Sequence, residues 1–407
     1  MLLILIAFTM PFAIKLNSLM ILLCAANWII EGNFSAKIKN TFSNRLNIYW
    51  IIFFMLYVLS YFMSTNQHEA GSIIERRLSM IAFPLLIFGS VNAIRTRNIS
   101  WSFVAGVISA LIFCYAKAFQ HYFSDHGANN FFYHELTSPI KMNAIYMSAY
   151  VVFCIHILLH FANWSGKIQK IIIFILLSFL GISCFMLSSK MMLFVLLLGL
   201  MFRIFRSQQI KNKALPISGG IVFLIIAGIL IIPQTRERFA NEFTSDFSVL
   251  HSQQLRYDTH FTGTSLRLEI WKYCYELMSE KNAWLTGVGT GDFQDLLNEK
   301  YRAGGMYMGN PSLHDTGYLG YGPHDQYIEI LLTLGIPALL FFFFMLFSQW
   351  KSALKCNHYL LIELLIIFTL FCVTESVLST NKGVVFFMFF ISLLTEKHDH
   401  VNGEKQK

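Results

Sequence analysis

Charge is scarce along this chain of 407 residues: Asp, Glu, Lys and Arg together make up 13%, against 55% hydrophobic and 16% aromatic residues. One soluble core cannot bury that much apolar surface, and a mean hydropathy of +0.54 makes lipid the solvent for most of the chain. The apolar opening, Met1 to Met10, lacks a basic n-region and runs straight into further apolar sequence, so it reads as membrane sequence rather than a cleavable signal. A disulfide framework and a CxxC metal pattern are missing too. Cys24, Cys114, Cys154, Cys184 and Cys372 lie inside apolar stretches, and Cys274 stands alone in the longest polar segment. The net charge of +8 is not gathered on one soluble face but divided among short loops, which excludes nucleic acid as a partner. There is no internal repeat.

What is present is a succession of apolar segments, at roughly 1–14, 16–31, 48–63, 78–90, 99–119, 141–162, 168–187, 190–205, 215–233, 324–348, 358–376 and 382–395. A spanning helix takes about 20 apolar residues. The pattern predicts an all-α polytopic bundle of about twelve transmembrane helices with one large, partly helical extracytoplasmic loop. Lys and Arg enrich every second connection: Lys37, Lys39 and Arg45; Arg95 and Arg97; Lys167 and Lys170; Arg203, Arg206, Lys211 and Lys213; Lys351 and Lys355; then Lys397, Lys405 and Lys407. By the positive-inside rule these connections and both termini are cytoplasmic. Arg76 and Arg77 are the exception, two positives on the outer side beside Glu69 and Glu75. The expected organisation is N-terminal membrane helices over 1–233, an outer loop over 234–323, C-terminal membrane helices over 324–395 and a cytoplasmic tail over 396–407.

About ninety residues are too many for a mere connector, so function is sought in the outer loop. Within it, Ser265 to Met278 (SLRLEIWKYCYELM) places Leu266, Ile270, Trp271, Cys274, Leu277 and Met278 on one face. That predicts an amphipathic helix capped by Thr264 or Ser265. GVGTGD (Gly287 to Asp292) follows no strand and precedes no lysine, so it reads as a turn rather than a phosphate loop.

Six side chains at the outer boundary are candidates for the chemistry or its support. Lys190, ending LSSK, is either an interfacial lysine or a point charge facing a lipid-linked phosphate. Arg267, in the first turn of the loop helix, could hold a phosphate with its fork or pair with a neighbouring carboxylate such as Glu269. Arg236 and Arg238 read as interfacial anchors. His324, straight after Pro323, opens HDQYIEILLTLGIPALLFFFF where the loop returns to the membrane, which puts an imidazole at headgroup level, suited to taking a sugar hydroxyl proton. Gly335 and Pro337 are expected to kink the helix that follows. Asp325 lies about 100° round the helix from His324 and is a minor candidate for orienting it. His314 and Asp315 read as a decoy pair; Glu363 and Glu375 belong either to helix packing or to a polar cavity.

The order of these features, a basic residue at an outer helix end, SLRLEIW, GVGTGDF and then PHDQYIEILLTLGIP, resembles the O-antigen ligase and polymerase superfamily. The resemblance spans the chain as topology and about Ser265 to Phe344 as motif. It implies a metal-independent, cofactor-free inverting transfer of a glycan from undecaprenyl pyrophosphate to an acceptor at the outer face of the bacterial inner membrane, lipid A core in ligases or another glycan in polymerases. It also implies that Lys190 and Arg267 hold the donor pyrophosphate and that His324 is the loop histidine. The chain departs from the family in having Lys190 where ligases often have arginine, and Asp325 where they have asparagine; lysine loses the bidentate fork. A transporter of lipid-linked sugars is the competing class, for which inverted repeats and paired broken helices are the expected signs.

Overall fold

A computed structural model of the chain describes residues 1–88, 96–125, 127–162, 166–206, 261–310 and 315–404, together with positions 220, 236 and 312. Among the described residues it is helical without strands. In chain order the helices are α1 (Leu2–Thr9), α2 (Ile14–Ile30), α3 (Phe34–Ser43), α4 (Arg45–Met63), α5 (Gln67–Arg77), α6 (Ser79–Phe88), α7 (Thr96–Asp125) and α8 (Tyr133–Thr137). There follow α9 (Ala144–Phe161), α10 (Lys167–Met186), α11 (Lys190–Arg206), α12 (Gly263–Glu280), α13 (Phe293–Ala303), α14 (Gln326–Lys355), α15 (Tyr359–Phe371) and α16 (Asn381–Glu404).

Each expected apolar segment is helical except 215–233, which lies outside the described residues apart from Gly220. The count of about twelve spans does not follow from that. Among the described residues five helices, α4, α7, α9, α10 and α14, are long and apolar enough to cross a membrane, or six if α2 and α3, bent by 118° at their junction, form one broken span. At about 1.5 Å per residue, the eight residues of α1 and the ten of α6 cover no more than half of a hydrocarbon core of about 30 Å. They pack instead on neighbours, α1 against α7 and α6 against α16.

The core of the bundle is aromatic. Phe103 packs on Tyr150, Phe153, Phe386 and Phe390 with ring centroids 4.9 to 6.2 Å apart, joining α7, α9 and α16. Ionisable groups inside it are paired. The Arg203 guanidinium grips Glu363 through Nε and Nη2, both at 2.7 Å, and the His156 ring lies 3.6 Å from the same carboxylate. Gly199 makes room for that imidazole, since a Cβ there would stand 2.6 Å from the ring. The carboxylate thereby ties together α9, α11 and α15.

The described residues of 261–310 and 315–323 form a smaller unit with its own core, in which Ile270, Tyr273, Cys274, Leu277, Phe293, Leu297 and Tyr301 are buried together with Ile73 of α5 and Leu332 of α14. Its first helix begins earlier than the sequence suggests. Thr262 is the N-cap and forms a reciprocal capping box with Ser265, so the cap lies two or three residues upstream of the expected one. Cys274, Ile270, Leu277 and Met278 are buried as expected, whereas Leu266 and Trp271 are only half-buried.

The kink in α14 falls where Gly335 and Pro337 predict it. Gly335 adopts φ 81° and ψ −179°, a conformation open to glycine and costly for other residues. The break opens the helical bond that Ile336 N–H would make to the Leu332 carbonyl. The loop closes both ends: Ile336 N donates to Trp284 O and Val288 N donates to Leu332 O, each at 2.8 Å. Backbone from the 261–323 unit thus satisfies groups that an unpaired helix break would leave stranded.

Candidate functional site

The site is built where α14 begins. Asp325 is its N-cap, accepting from Ile328 N at 2.8 Å. Burial pushes the Asp325 carboxyl up to about 6, against the opposing pull of the Ile328 and Tyr327 amides. Gln326 staples this start to the segment after α15: its N–H donates to Cys372 O at 2.7 Å, and its Oε1 accepts from Leu378 N at 2.6 Å. On the other side Trp271 Nε1 donates to Pro323 O at 2.8 Å, fixing the residue before His324 to α12. His324 itself has φ 49°, the left-handed region rarely used by a residue with a side chain, and the bonds on both sides hold it there.

Held this way, the His324 ring is 35% exposed and its Nδ1 lies 3.4 Å from Glu375 Oε2. The other oxygen of that carboxylate, Oε1, is 3.6 Å from Arg267 Nη2, which also donates to Thr374 O at 3.2 Å. Arg267 and His324, on separate elements, therefore meet at one carboxylate that is itself only 10% exposed. The Arg267 side chain is 28% exposed, and its Nε is buried without a hydrogen-bond partner. Because α12 begins at Gly263, Arg267 sits one turn inside the helix and points to the 374–375 backbone rather than to the helix's first amides.

Lys190 is the first residue of α11, after a tight turn in which Ser188 takes φ 50°. α11 packs along α15, and the Arg203–Glu363 pair fixes their register. Arg203 is near the end of α11 and Glu363 near the start of α15, so the two helices run antiparallel. Lys190 and the segment following Phe371 consequently lie at the same end of the bundle, the end that carries Glu375. Arg236 is exposed, and Arg238 and His314 lie outside the described residues. Asp315 accepts from the Tyr307 hydroxyl at 2.6 Å and from Gly317 N at 2.9 Å within its own turn, which hold its carboxyl below the usual range. Asp325 spends one oxygen on the helix cap, and the carboxylate beside the imidazole is Glu375.

One helical turn deeper is a second charged group. Arg77 Nη2 contacts Glu329 Oε1 at 2.6 Å and Ser379 Oγ at 3.0 Å, Ser379 Oγ also donates to Glu329, and the guanidinium lies 4.1 Å from the centre of the Tyr57 ring. The two arginines that break the expected basic alternation are both paired: Arg77 is buried as the partner of Glu329, and Arg76 pairs with Glu69 at 2.9 Å. Sequence reasoning passed over Arg77, Glu329 and the role of Glu375. The misplaced positives at 76 and 77 were the available signal for the first two.

The 287–292 turn clamps this smaller unit to the bundle. Thr290 N donates to Ser60 Oγ at 2.9 Å, Gly291 N to Ser64 Oγ at 3.0 Å, and the Asp292 carboxylate accepts from Thr65 N and Asn66 N at 2.8 and 2.7 Å. An open cleft of about 600 Å³ beside it is lined by Asn66, Lys281, Asn282, Thr286, Asp292 and Asp295 among others, and by none of Arg267, His324 and Glu375.

Residues 172–343 match the model of the family described as O-antigen ligase (Wzy_C). The match begins inside α10 and ends inside α14, so it takes in Lys190, Arg267 and His324 and stops short of Glu375. None of the curated proteins compared with the chain matches it.

Proposed function

We propose that this chain, whose residues 172–343 match the O-antigen ligase family model, transfers a glycan from undecaprenyl pyrophosphate to a hydroxyl of lipid A core or a similar acceptor at the periplasmic face of the inner membrane. The observation that carries the reading is the meeting of Arg267 and His324 at the Glu375 carboxylate, at the bundle end that also bears the start of α11.

In this reading Arg267 and Lys190 neutralise the pyrophosphate as its bond to the sugar anomeric carbon breaks. Cations in a cleft of low dielectric stabilise that departing charge without a proton transfer to the leaving group. His324 takes the acceptor hydroxyl proton through Nε2 as the new glycosidic bond forms on the opposite face, giving inversion in one displacement. Metal independence is part of the proposal and is tested by EDTA, which is expected to leave turnover unchanged. Polymerisation of the lipid-linked glycan is the second reading, because the family covers both reactions at the level of motif. A deletion strain separates them: bare lipid A core with full-length lipid-linked polymer indicates ligation, and core bearing one repeat unit indicates polymerisation.

The direct test is transfer by purified protein in nanodiscs. His324→Ala is expected to lower turnover by about 10² to 10⁴-fold, the range for a lost general base, with donor binding retained. Arg267→Ala and Lys190→Ala are expected to weaken donor use. Wild-type turnover in His324→Ala would overturn the assignment.

A further inference from the structure

We infer that Glu375 is the positioning residue of the site, a counter-ion shared between the donor-binding arginine and the proton-accepting histidine and passed to the histidine when donor arrives. The inference rests on the transferase reading above and extends it to a residue outside the matched family segment.

Three observations lead to it. The two carboxylate oxygens face different partners, Oε1 toward Arg267 Nη2 at 3.6 Å and Oε2 toward His324 Nδ1 at 3.4 Å. Both contacts are longer than a well-formed charge-assisted hydrogen bond, about 2.7 to 2.9 Å, so the carboxylate is divided between two groups and fully committed to neither. The segment that carries it is tied down by hydrogen bonds on both sides of Glu375. Gln326 holds Cys372 and Leu378 on either side, Glu375 N donates to Phe371 O at 2.9 Å, and Val377 N donates to Glu375 O at 2.9 Å.

A carboxylate on Nδ1 fixes the tautomer: Nδ1 carries the hydrogen, and Nε2 is left with the lone pair that receives the hydroxyl proton. It also faces the imidazolium formed when that proton arrives. A pyrophosphate competes for the same guanidinium that now faces Oε1. As Arg267 turns to the donor, Glu375 loses one partner and closes on the other. The base is thus completed when the leaving group is in place, which limits proton abstraction without donor. Bonds balance as in the transfer itself: the acceptor O–H proton goes to Nε2, the oxygen bonds to the anomeric carbon, and the pyrophosphate leaves with the electron pair.

The test uses the full chain in nanodiscs, with undecaprenyl pyrophosphate as the binding probe. Turnover is read with lipid-linked glycan and acceptor lipid extracted from a strain deleted for this chain. Glu375→Gln keeps the shape and removes the charge. It is expected to lower turnover about 10- to 100-fold, less than loss of the base itself, while undecaprenyl pyrophosphate binds at least as tightly as to wild type. In a His324→Ala background the same substitution is expected to cost nothing more, because its effect runs through the imidazole. Independent, multiplying losses in the double variant would overturn the inference, as would weakened binding of undecaprenyl pyrophosphate to Glu375→Gln or wild-type turnover in that variant. If His324→Ala and Arg267→Ala both retain full turnover, the transferase assignment falls first and takes this inference with it. If those two fail and Glu375→Gln does not, the inference alone is wrong.

Discussion

Arg77 and Glu329 form an ion pair with an Nη2–Oε1 distance of 2.6 Å, the two side chains only 1% and 2% exposed, between α5 and the first turn of α14. Arg77 Nε and Nη1 are buried without hydrogen-bond partners, so Glu329, Ser379 and the face of the Tyr57 ring carry the compensation for its desolvation. Removing either partner of a buried pair leaves an uncompensated charge and costs about 3 to 5 kcal/mol, whereas replacing both by apolar residues is often close to neutral. Arg77→Met and Glu329→Met are each expected to lower the melting temperature of the detergent-solubilised protein, and the double variant to recover much of the loss. A double variant as unstable as the two singles combined would show that the pair is not a closed unit.

The turn at Gly287 is expected to accept no side chain. Its φ is +69°, and a Cβ would stand 2.3 Å from the backbone of Thr333. Gly287→Ala must therefore either move the turn off α14 or hold a strained backbone, a cost on the order of 1 to 3 kcal/mol. The expected readout is faster cleavage within 261–323 by a protease added to solubilised protein, with the remaining helices unaffected. Unchanged cleavage would mean that the contact with Thr333 yields without cost.

Asp325 gives a pH-dependent prediction whose sign follows from its environment. Burial raises its folded value from 3.8 to about 6, so the folded protein favours the neutral carboxyl. That contribution to stability is fully present below about 4 and is lost as pH rises through 6. Asparagine offers the same cap acceptor without a charge and ranks with aspartate as an N-cap. The melting temperature of Asp325→Asn relative to wild type is expected to climb between pH 4 and 6 and to stay level above 7. A difference independent of pH over that interval would contradict the burial argument.

Orientation is testable at Ala303, an exposed residue at the end of α13. Ala303→Cys is expected to react with a membrane-impermeant maleimide in intact spheroplasts. Labelling by permeant reagents alone would put 261–323 in the cytoplasm and reverse the proposed topology.

Local patterns foretold local structure. Apolar runs became helices, and Gly335 with Pro337 marked the break in α14, because glycine conformation and the missing proline amide act on the nearest turns of backbone. The number of spans was less legible: hydropathy does not distinguish a helix that crosses lipid from a short one, such as α1, packed on its neighbour α7. At the site, Arg267 and His324 stood out by type and position, yet nothing near them in the chain announces Glu375. It follows an apolar helix and reaches both residues only through the fold. Glu329 was hidden for a related reason. A glutamate in the first turn of a helix has an ordinary explanation in the helix dipole, and only the distant Arg77 reveals another.

The break in α14 has a consequence for engineering. Since Trp284 and Val288 supply the hydrogen bonds that Ile336 and Leu332 give up, the 261–323 unit is spliced into α14 through main-chain atoms that every sequence possesses. What makes the splice specific is the glycine at each side of it, Gly287 and Gly335, where any Cβ would collide with the opposite backbone. A chimera that borrows this unit from a related chain must therefore import 284–288 and 332–337 as one cassette, and a graft with only one half would leave a severed helix facing a loop shaped for a different gap.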